Sequence, residues 1–343
     1  MTGINTYALP KGSWILVTGA NGFVPSNIID ELLSLGYRVR GSTRTPMPWL
    51  DNYFQEKFGP QAYESVIVAS FSDKGAISAA MQGVDGVIHA ASDLTFSPDP
   101  ESVIPWVVGA TLNVLEAAQQ HSVKRVVLVS SSSAADMMTP SAEKKVLHAD
   151  SWNKDAFRLA WDKQTPSKSK GLAVYSASKT EGERQAWDWV KENSPAFTFN
   201  TVLPCLNVGR ILHPEIFGST MGWTRKLIQG DPTAFTMFPE QWFVDVQDTA
   251  RLCAIGLLHP DVQSERVFAF GEQQNWNDIV GILRKVLPKC TLLCEGPENE
   301  GRDQMEIRPR ERSESLLRDF YGQSGWTTIH DSLSRGTKDL SEV

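Results

Sequence analysis

The sequence predicts an α/β protein built on one doubly wound parallel sheet, with a smaller C-terminal lobe. Three observations predict it. The apolar run Trp14–Val17 enters a turn at Thr18-Gly19 and leaves as a helical pattern through Phe23, Ile28, Ile29, Leu32 and Leu33. Strand-like and helical stretches then alternate through five repeats as far as residue 133. The first, fourth and fifth of these strands all end in glycine, alanine or serine. Alternation of this kind gives a parallel sheet with right-handed crossovers, and 343 residues are enough to bury a large core.

The first strand and the helix beginning near Gly22 set the frame. Gly19 permits a tight turn. Gly22 lets the backbone approach a pyrophosphate, and the helix N-terminus offers unpaired N–H groups to anionic oxygens. An ordinary strand–turn–helix also carries two glycines, but a strand before and a helix after favour a Rossmann-type dinucleotide site. Tyr37–Arg44 is the second strand and the start of its loop. Sites for NAD place Asp or Glu about 20 residues beyond the first glycines. Here that window holds no acid and three arginines, Arg38, Arg40 and Arg44. Arg38 and Arg40 share a strand face, and Arg38 reads as a solvated edge. Arg44 falls just past the strand end, where the ribose 2′ position lies, and its guanidinium fork matches a phosphate dianion. The expected cofactor is NADP(H).

Ser65–Ser70 reads as a third strand and Lys74–Gln82 as a helix ended by Gly83. Gly86–Ser92 is the fourth strand; small Ala90, Ala91 and Ser92 at its end leave room for a cofactor, or reflect tight packing. His89, inside this apolar run, reads as a satisfied core residue. Val103–Gln120 is a long helix containing Asn113, and Lys124–Ser133 is the fifth strand, ending in four serines. Ligands in such sheets bind outside the strands' carboxyl ends. The glycine turn, Ala90–Ser92 and the serine run all lie at that edge.

Residues 134–171 are polar and punctuated by Pro140 and Pro166, a surface excursion that carries Trp152 and Trp161 toward the site or beneath it. A helix runs from Ala173 to Val190 and a sixth strand from Phe197 to Leu203, ended by Pro204. Ile211–Glu240, rich in Pro, Gly, Phe, Trp and Met, reads as a mobile cover with one short helix at Thr220–Ile228. Gln241–Val246 and Val267–Phe270 are strands around an Asp248–Leu258 helix; Ile279–Val286 and Glu314–Phe320 are helices. The expected domains are residues 1–205, with 241–272 returning to them, and a substrate-binding lobe and cover from 206–240 and 273–343.

Composition excludes several classes. A net charge of −7 argues against a nucleic-acid surface. No apolar run approaches the roughly 18–20 residues that span a bilayer, and Met1–Lys11 lacks the basic-then-apolar pattern of a secretory signal. A cytoplasmic protein with no membrane contact is expected, as a monomer or a homodimer. Four cysteines suit a reducing compartment; with no His near Cys290 and Cys294, no metal site is expected.

The chemistry gathers at Tyr175 and Lys179, four residues apart and so on one side of a helix. A buried ammonium beside a phenol favours phenolate and brings its pKa toward the working pH, ready for proton exchange with a carbonyl or alkoxide oxygen. Such a pair also marks many solvated helix faces. Its setting, on the helix before the sixth strand and after a serine run that offers a further donor, lifts the catalytic reading.

Thr18-Gly-Ala-Asn-Gly-Phe23, Val129-Ser-Ser-Ser132, Tyr175-Ser-Ala-Ser-Lys179 and Leu203-Pro204 occur in the order found in the extended short-chain dehydrogenase/reductases. Over nearly its whole length the chain resembles that family, most of all its fungal NADPH-dependent aldehyde and ketone reductases and its dihydroflavonol-reductase-like branch. The resemblance implies reduction of a carbonyl to an alcohol, with Ser132 as the catalytic serine and Tyr175 as the acid/base. Ser131 and Ser133 stand one residue to either side. Lys179 is implied to bind the nicotinamide ribose, Arg44 the 2′-phosphate, and Pro204 to lie beside the nicotinamide. Thr18, Gly19, Asn21, Gly22, Phe23, Ser70, Phe71, Ala90, Ala91 and Ser92 complete the implied cofactor contacts. Two positions depart from the family pattern. Pro25 replaces a Gly or Ala, and Ser70 stands where many relatives carry Asp against adenine.

The expected substrate is an apolar or aromatic small-molecule carbonyl compound, walled by Thr95 and Phe96 after the fourth strand and by Phe217, Trp223, Phe235, Met237, Phe238 and Trp242 in the cover. The aromatic cover and the three arginines weigh against a nucleotide-sugar epimerase or dehydratase of the same superfamily. Retention of Ser132, Tyr175 and Lys179 weighs against a non-catalytic NADP sensor.

Overall fold

The computed structural model describes residues 7–137, 144–239 and 242–340. Pro140, Glu240, Gln241 and the start of the N-terminal segment lie outside them.

Strand β1 (Trp14–Thr18) is followed by α1 (Phe23–Ser34), β2 (Arg38–Thr43), α2 (Pro48–Phe58), β3 (Tyr63–Ile67), α3 (Lys74–Met81) and β4 (Gly86–His89). Then come α4 (Pro100–Gln120), β5 (Arg125–Val129), a 3-10 turn at Ser132–Ala134, β6 (Val146–Leu147), α5 (Lys154–Trp161), α6 (Ser167–Asn193) and β7 (Thr198–Pro204). β8 (Leu206–Val208), α7 (Ser219–Lys226), α8 (Thr233–Met237), β9 (Trp242–Asp245), α9 (Val246–Leu258), β10 (Arg266–Ala269) and β11 (Glu272–Gln273) follow. The chain closes with α10 (Trp276–Val286), β12 (Glu306–Ile307), α11 (Arg310–Tyr321) and α12 (Ile329–Gly336).

The main sheet has seven strands in the order β10-β7-β5-β4-β1-β2-β3, and every neighbouring pair is parallel. Chain order reverses between β1 and β4, so a crevice opens at their carboxyl ends. One face is covered by α1 and α9, packed on Ile15, Val17, Ile88 and Val202; the other by α3, α4 and α6, packed on Leu16, Val87, Val126 and Phe199. A third cluster, around Met221, Phe238, Phe243, Trp276 and Leu333, holds the cover to the C-terminal helices. No helix among the described residues is long and apolar enough to cross a membrane.

Several boundaries differ from the sequence expectation. β4 stops at His89 rather than Ser92, because the N–H groups of Ala90 and Ala91 go to Thr18 Oγ1 (3.0 and 2.9 Å) instead of to a neighbouring strand. β5 stops at Val129, and Ser131 caps a 3-10 turn by accepting from the Ser133 N–H. β3 begins two residues earlier than expected, at Tyr63, where register sets Glu64 beside Arg40. The excursion over 134–171 is not irregular throughout. It contains β6, paired with the distant β12, and α5, capped by Asn153 and seated by buried Ala156 and Ala160. α6 also starts at Ser167, earlier than Ala173.

Candidate active site

The glycine turn is built as its residues require. Gly19 has φ 72°, and a Cβ there would press on Ala91 at 3.3 Å. Gly22 is the N-cap of α1, whose first N–H groups have no intrahelical acceptor. Pro25 fits in this first turn, where its missing N–H costs nothing. Thr18 acts from beneath. Its hydroxyl accepts from Ala90 and Ala91 and so donates its one proton to His89 Nδ1, 2.9 Å away. His89 is buried and held neutral, its pKa lowered to about 3 by burial and then by the charge of Lys179. It is a core residue, and the Thr18 side chain ties β1 to β4.

At the β2 end the three arginines separate. Arg38 donates to Gly12 O (2.8 Å) and stacks on Trp14; Arg40 is held by Glu64 (2.6 Å) and by the carbonyls of Ala80 and Gln82. Arg44 is exposed and makes no ion pair among the described residues. Ser70 Oγ accepts from Ser72 N (3.1 Å), and the Phe71 carbonyl is held by Asn113 (2.8 Å).

α6 carries Gly171, Tyr175, Lys179 and Glu183 at successive fourth positions, a slanted stripe along one side of the helix. Lys179 is only 8% exposed; its Nζ donates to the Val129 carbonyl (3.2 Å) at the end of β5. Burial lowers its pKa to about 8, opposed by the negative charge of Glu183. Glu183 is buried and accepts from Ser130 Oγ (2.7 Å), Thr201 Oγ1 (2.8 Å), Trp187 Nε1 (3.3 Å) and Arg266 Nε (2.7 Å). Ser130 is thereby committed and Ser131 is a cap, whereas the Ser132 hydroxyl makes no hydrogen bond among the described residues. The turn bearing Ser132 packs on α6. Asn153 holds that turn, donating to Ser133 O (2.7 Å) with Nδ2 and to Ala134 O (3.0 Å) with its backbone N–H. Asn153, Glu183 and Arg266 were not expected from the sequence; only Asn153 carries a local signal, as a helix cap. Trp152 packs under Arg266 at 3.9 Å, while Trp161 is 40% exposed beside Phe157.

Outward from Tyr175 runs a continuous aromatic path. Ring centroids lie 5.1 Å apart for Tyr175 and Phe96, 6.0 Å for Phe96 and Phe238, 6.4 Å for Phe238 and Trp223, and 6.0 Å for Trp223 and Phe217. Phe217 is 59% exposed at the outer end. Three further expected wall residues make other contacts. Thr95 is exposed and bonds back to Asp93; Phe235 packs on Trp276; Trp242 packs on Phe270 and the main core.

The sequence profile of the NAD dependent epimerase/dehydratase family matches residues 15–271. The chain belongs to that family. It is 44% identical to the ketoreductase adrE of Penicillium roqueforti, over 98% of this chain and 99% of that one. It is 36% identical to aldehyde reductase 2 of Sporidiobolus salmonicolor, over 99% of this chain and 98% of that one. Its fold matches the yeast methylglyoxal/isovaleraldehyde reductase Gre2 complexed with NADPH, with a TM-score of 0.79 at 21% identity, over 96% and 98% of the two chains.

The residues present fit a dinucleotide. A Cβ at Gly19 would crowd Ala91 at the crevice, and among the described residues the buried Ser92 Oγ has no partner and the exposed Arg44 guanidinium just past β2 makes no ion pair. Among the described residues no cluster of metal ligands occurs.

Proposed function

We propose that this chain reduces aldehydes or ketones to alcohols with NADPH. The observation that carries the reading is the α6 stripe, which sets Tyr175 between the buried Lys179 ammonium and an aromatic wall opening to solvent. When bound, NADPH supplies the hydride for the carbonyl carbon. Gly19, Gly22, Asn21 and the first turn of α1 at Phe23 receive the pyrophosphate; Arg44 takes the 2′-phosphate, and Ser70 and Phe71 flank the adenine end. Ala90–Ser92 would line the crevice beside the cofactor, Pro204 would lie beside the nicotinamide, and Lys179 would hold its ribose.

Ser132 Oγ donates a hydrogen bond to the substrate oxygen and Tyr175 Oη gives it a proton. The Lys179 ammonium stabilises the phenolate left behind. Both donors stand on elements packed together before substrate arrives, the Ser132 turn and α6, which lowers the reorganisation needed in the transition state. Phe96, Phe238, Trp223 and Phe217 form the substrate wall, so the favoured substrates carry apolar or aromatic groups. Segment 206–239 with α10 and α12, joined through the cluster of Met221, Phe238, Trp276 and Leu333, forms the substrate side of the molecule, while α11 packs on α9 and β10.

Relatives named for ketone and aldehyde reduction support this reading. The test is to incubate purified protein with NADPH and a panel of aldehydes, aryl ketones and sugar nucleotides, following loss of NADPH absorbance. Oxidation with the carbonyl compounds is expected. Conversion of sugar nucleotides with tightly held NAD, and none of the carbonyl compounds, would replace the reading with an epimerase.

A further inference from the structure

Phe96 stands on the loop between β4 and α4 with φ 52°, a left-handed conformation that a bulky side chain rarely adopts. The outer side of that loop is held by its own polar groups: Asp93 accepts from Thr95, Thr95 Oγ1 from Ser97, and Ser97 Oγ from Asp99. Its inner side rests on Gly171. A Cβ at Gly171 would overlap the Phe96 carbonyl oxygen and reach within 3.2 Å of its carbonyl carbon. Gly171 lies one helical turn before Tyr175 on α6. The bare patch of helix that admits the Phe96 backbone therefore also brings the Phe96 ring to 5.1 Å from Tyr175.

We propose that Gly171 is a specificity-determining position: lacking a side chain, it seats the Phe96 backbone against α6 and so sets how far the Phe96 ring closes the space over Tyr175. This rests on the reading of Phe96 as a substrate wall. Any side chain at 171 pushes the loop off the helix, carries the ring outward and opens the site to bulkier ketones. The backbone strain at Phe96 is what the polar turn and the glycine seat hold in place together.

The test compares kcat/KM for a small aliphatic aldehyde and a naphthyl ketone in wild type, Gly171→Ala, Phe96→Ala and the double variant, with NADPH Kd measured in each. Gly171→Ala is expected to shift the ratio toward the naphthyl ketone by about tenfold, with NADPH Kd unchanged. Phe96→Ala should shift it the same way, and the double variant should go no further than Phe96→Ala alone. If Phe96→Ala shifts the ratio and Gly171→Ala does not, or if the two effects add in full, the seat is wrong and the wall stands. If Phe96→Ala leaves the ratio unchanged, the wall reading itself fails. Phe96→Gly guards against a poorly folded Gly171→Ala. It removes the same ring but relieves the left-handed backbone, so it should melt above Phe96→Ala; melting below it would overturn the proposal.

Discussion

Arg266 Nε lies 2.7 Å from Glu183 Oε1, and the two side chains are 10% and 0% exposed. Arg266 also holds the carbonyls of Ala149 and Ser151 and stacks on Trp152. The pair joins α6, β10 and the loop before α5, one helical turn beyond Lys179. Glu183 stands one turn from Lys179, and its charge raises the Lys179 pKa against the larger lowering by burial.

This arrangement makes activity and stability respond oppositely to alkali. The Lys179 pKa is lowered from 10.5 to about 8, so the unfolded chain binds more protons across that window. From this group, stability therefore rises with pH between about 8 and 10.5. On the proposed mechanism reduction uses the ammonium, so it should decline above about pH 8. His89 faces Lys179 but stays neutral, and the Arg266 charge is taken up by Glu183. Glu183→Gln keeps the shape, removes the charge, and should move the alkaline limb of kcat/KM to lower pH. A folded variant with an unmoved limb would show that Glu183 only holds structure. Glu183→Ala, which leaves Arg266 buried and unpaired, should cost about 3–5 kcal/mol of stability in a denaturant titration.

Arg44 should set cofactor choice. Arg40 is committed to Glu64 and two carbonyls, leaving Arg44 the free guanidinium of the three at that edge among the described residues. A charge-assisted hydrogen bond contributes roughly 1.5–3 kcal/mol, so Arg44→Ala should weaken NADPH binding about 10- to 150-fold. Exposure of the side chain favours the lower end, and the effect should shrink as salt rises. NADH should bind nearly as before, as titrations of both cofactors would reveal. Wild type favouring NADH would remove the phosphate role.

Trp223 should govern specificity with little effect on cofactor. Its ring packs between Phe238 and the exposed Phe217, with Lys226 Nζ 4.0 Å above it. Trp223→Ala should redistribute kcat/KM among bulky ketones by about 1–3 kcal/mol while NADPH Kd holds. Phe238 is buried, so Phe238→Ala should also lower stability, by about 3–5 kcal/mol. Equal loss on every substrate for Trp223→Ala would make that residue core.

The sheet was legible because its signals are local: apolar runs, a glycine turn, small residues at strand ends. The helix α5 is legible on the same grounds, through Asn153 as cap and Ala156 and Ala160 at helical spacing, although the expectation covers its residues with an irregular excursion. α2 likewise lies outside the expectations despite Pro48 in its first turn and buried Leu50 and Phe54 four residues apart. What no local pattern announces is long-range pairing. β6 exists only because β12 lies beside it, and β4 ends where it does because a threonine on β1 takes its next two N–H groups. The same limit hides the site's support. Tyr175 and Lys179 stand out by spacing, but Glu183 gains its role from Arg266, and Gly171 from a loop that leaves the sheet at β4.

The most direct measurement concerns Tyr175. Tyr175→Phe keeps the ring against Phe96 and removes only the phenolic oxygen. NADPH Kd, from fluorescence titration, should be unchanged, while single-turnover oxidation of bound NADPH by an aryl ketone should be abolished. Turnover near that of wild type, with NADPH binding intact, would contradict proton donation by Tyr175 and the mechanism built on it.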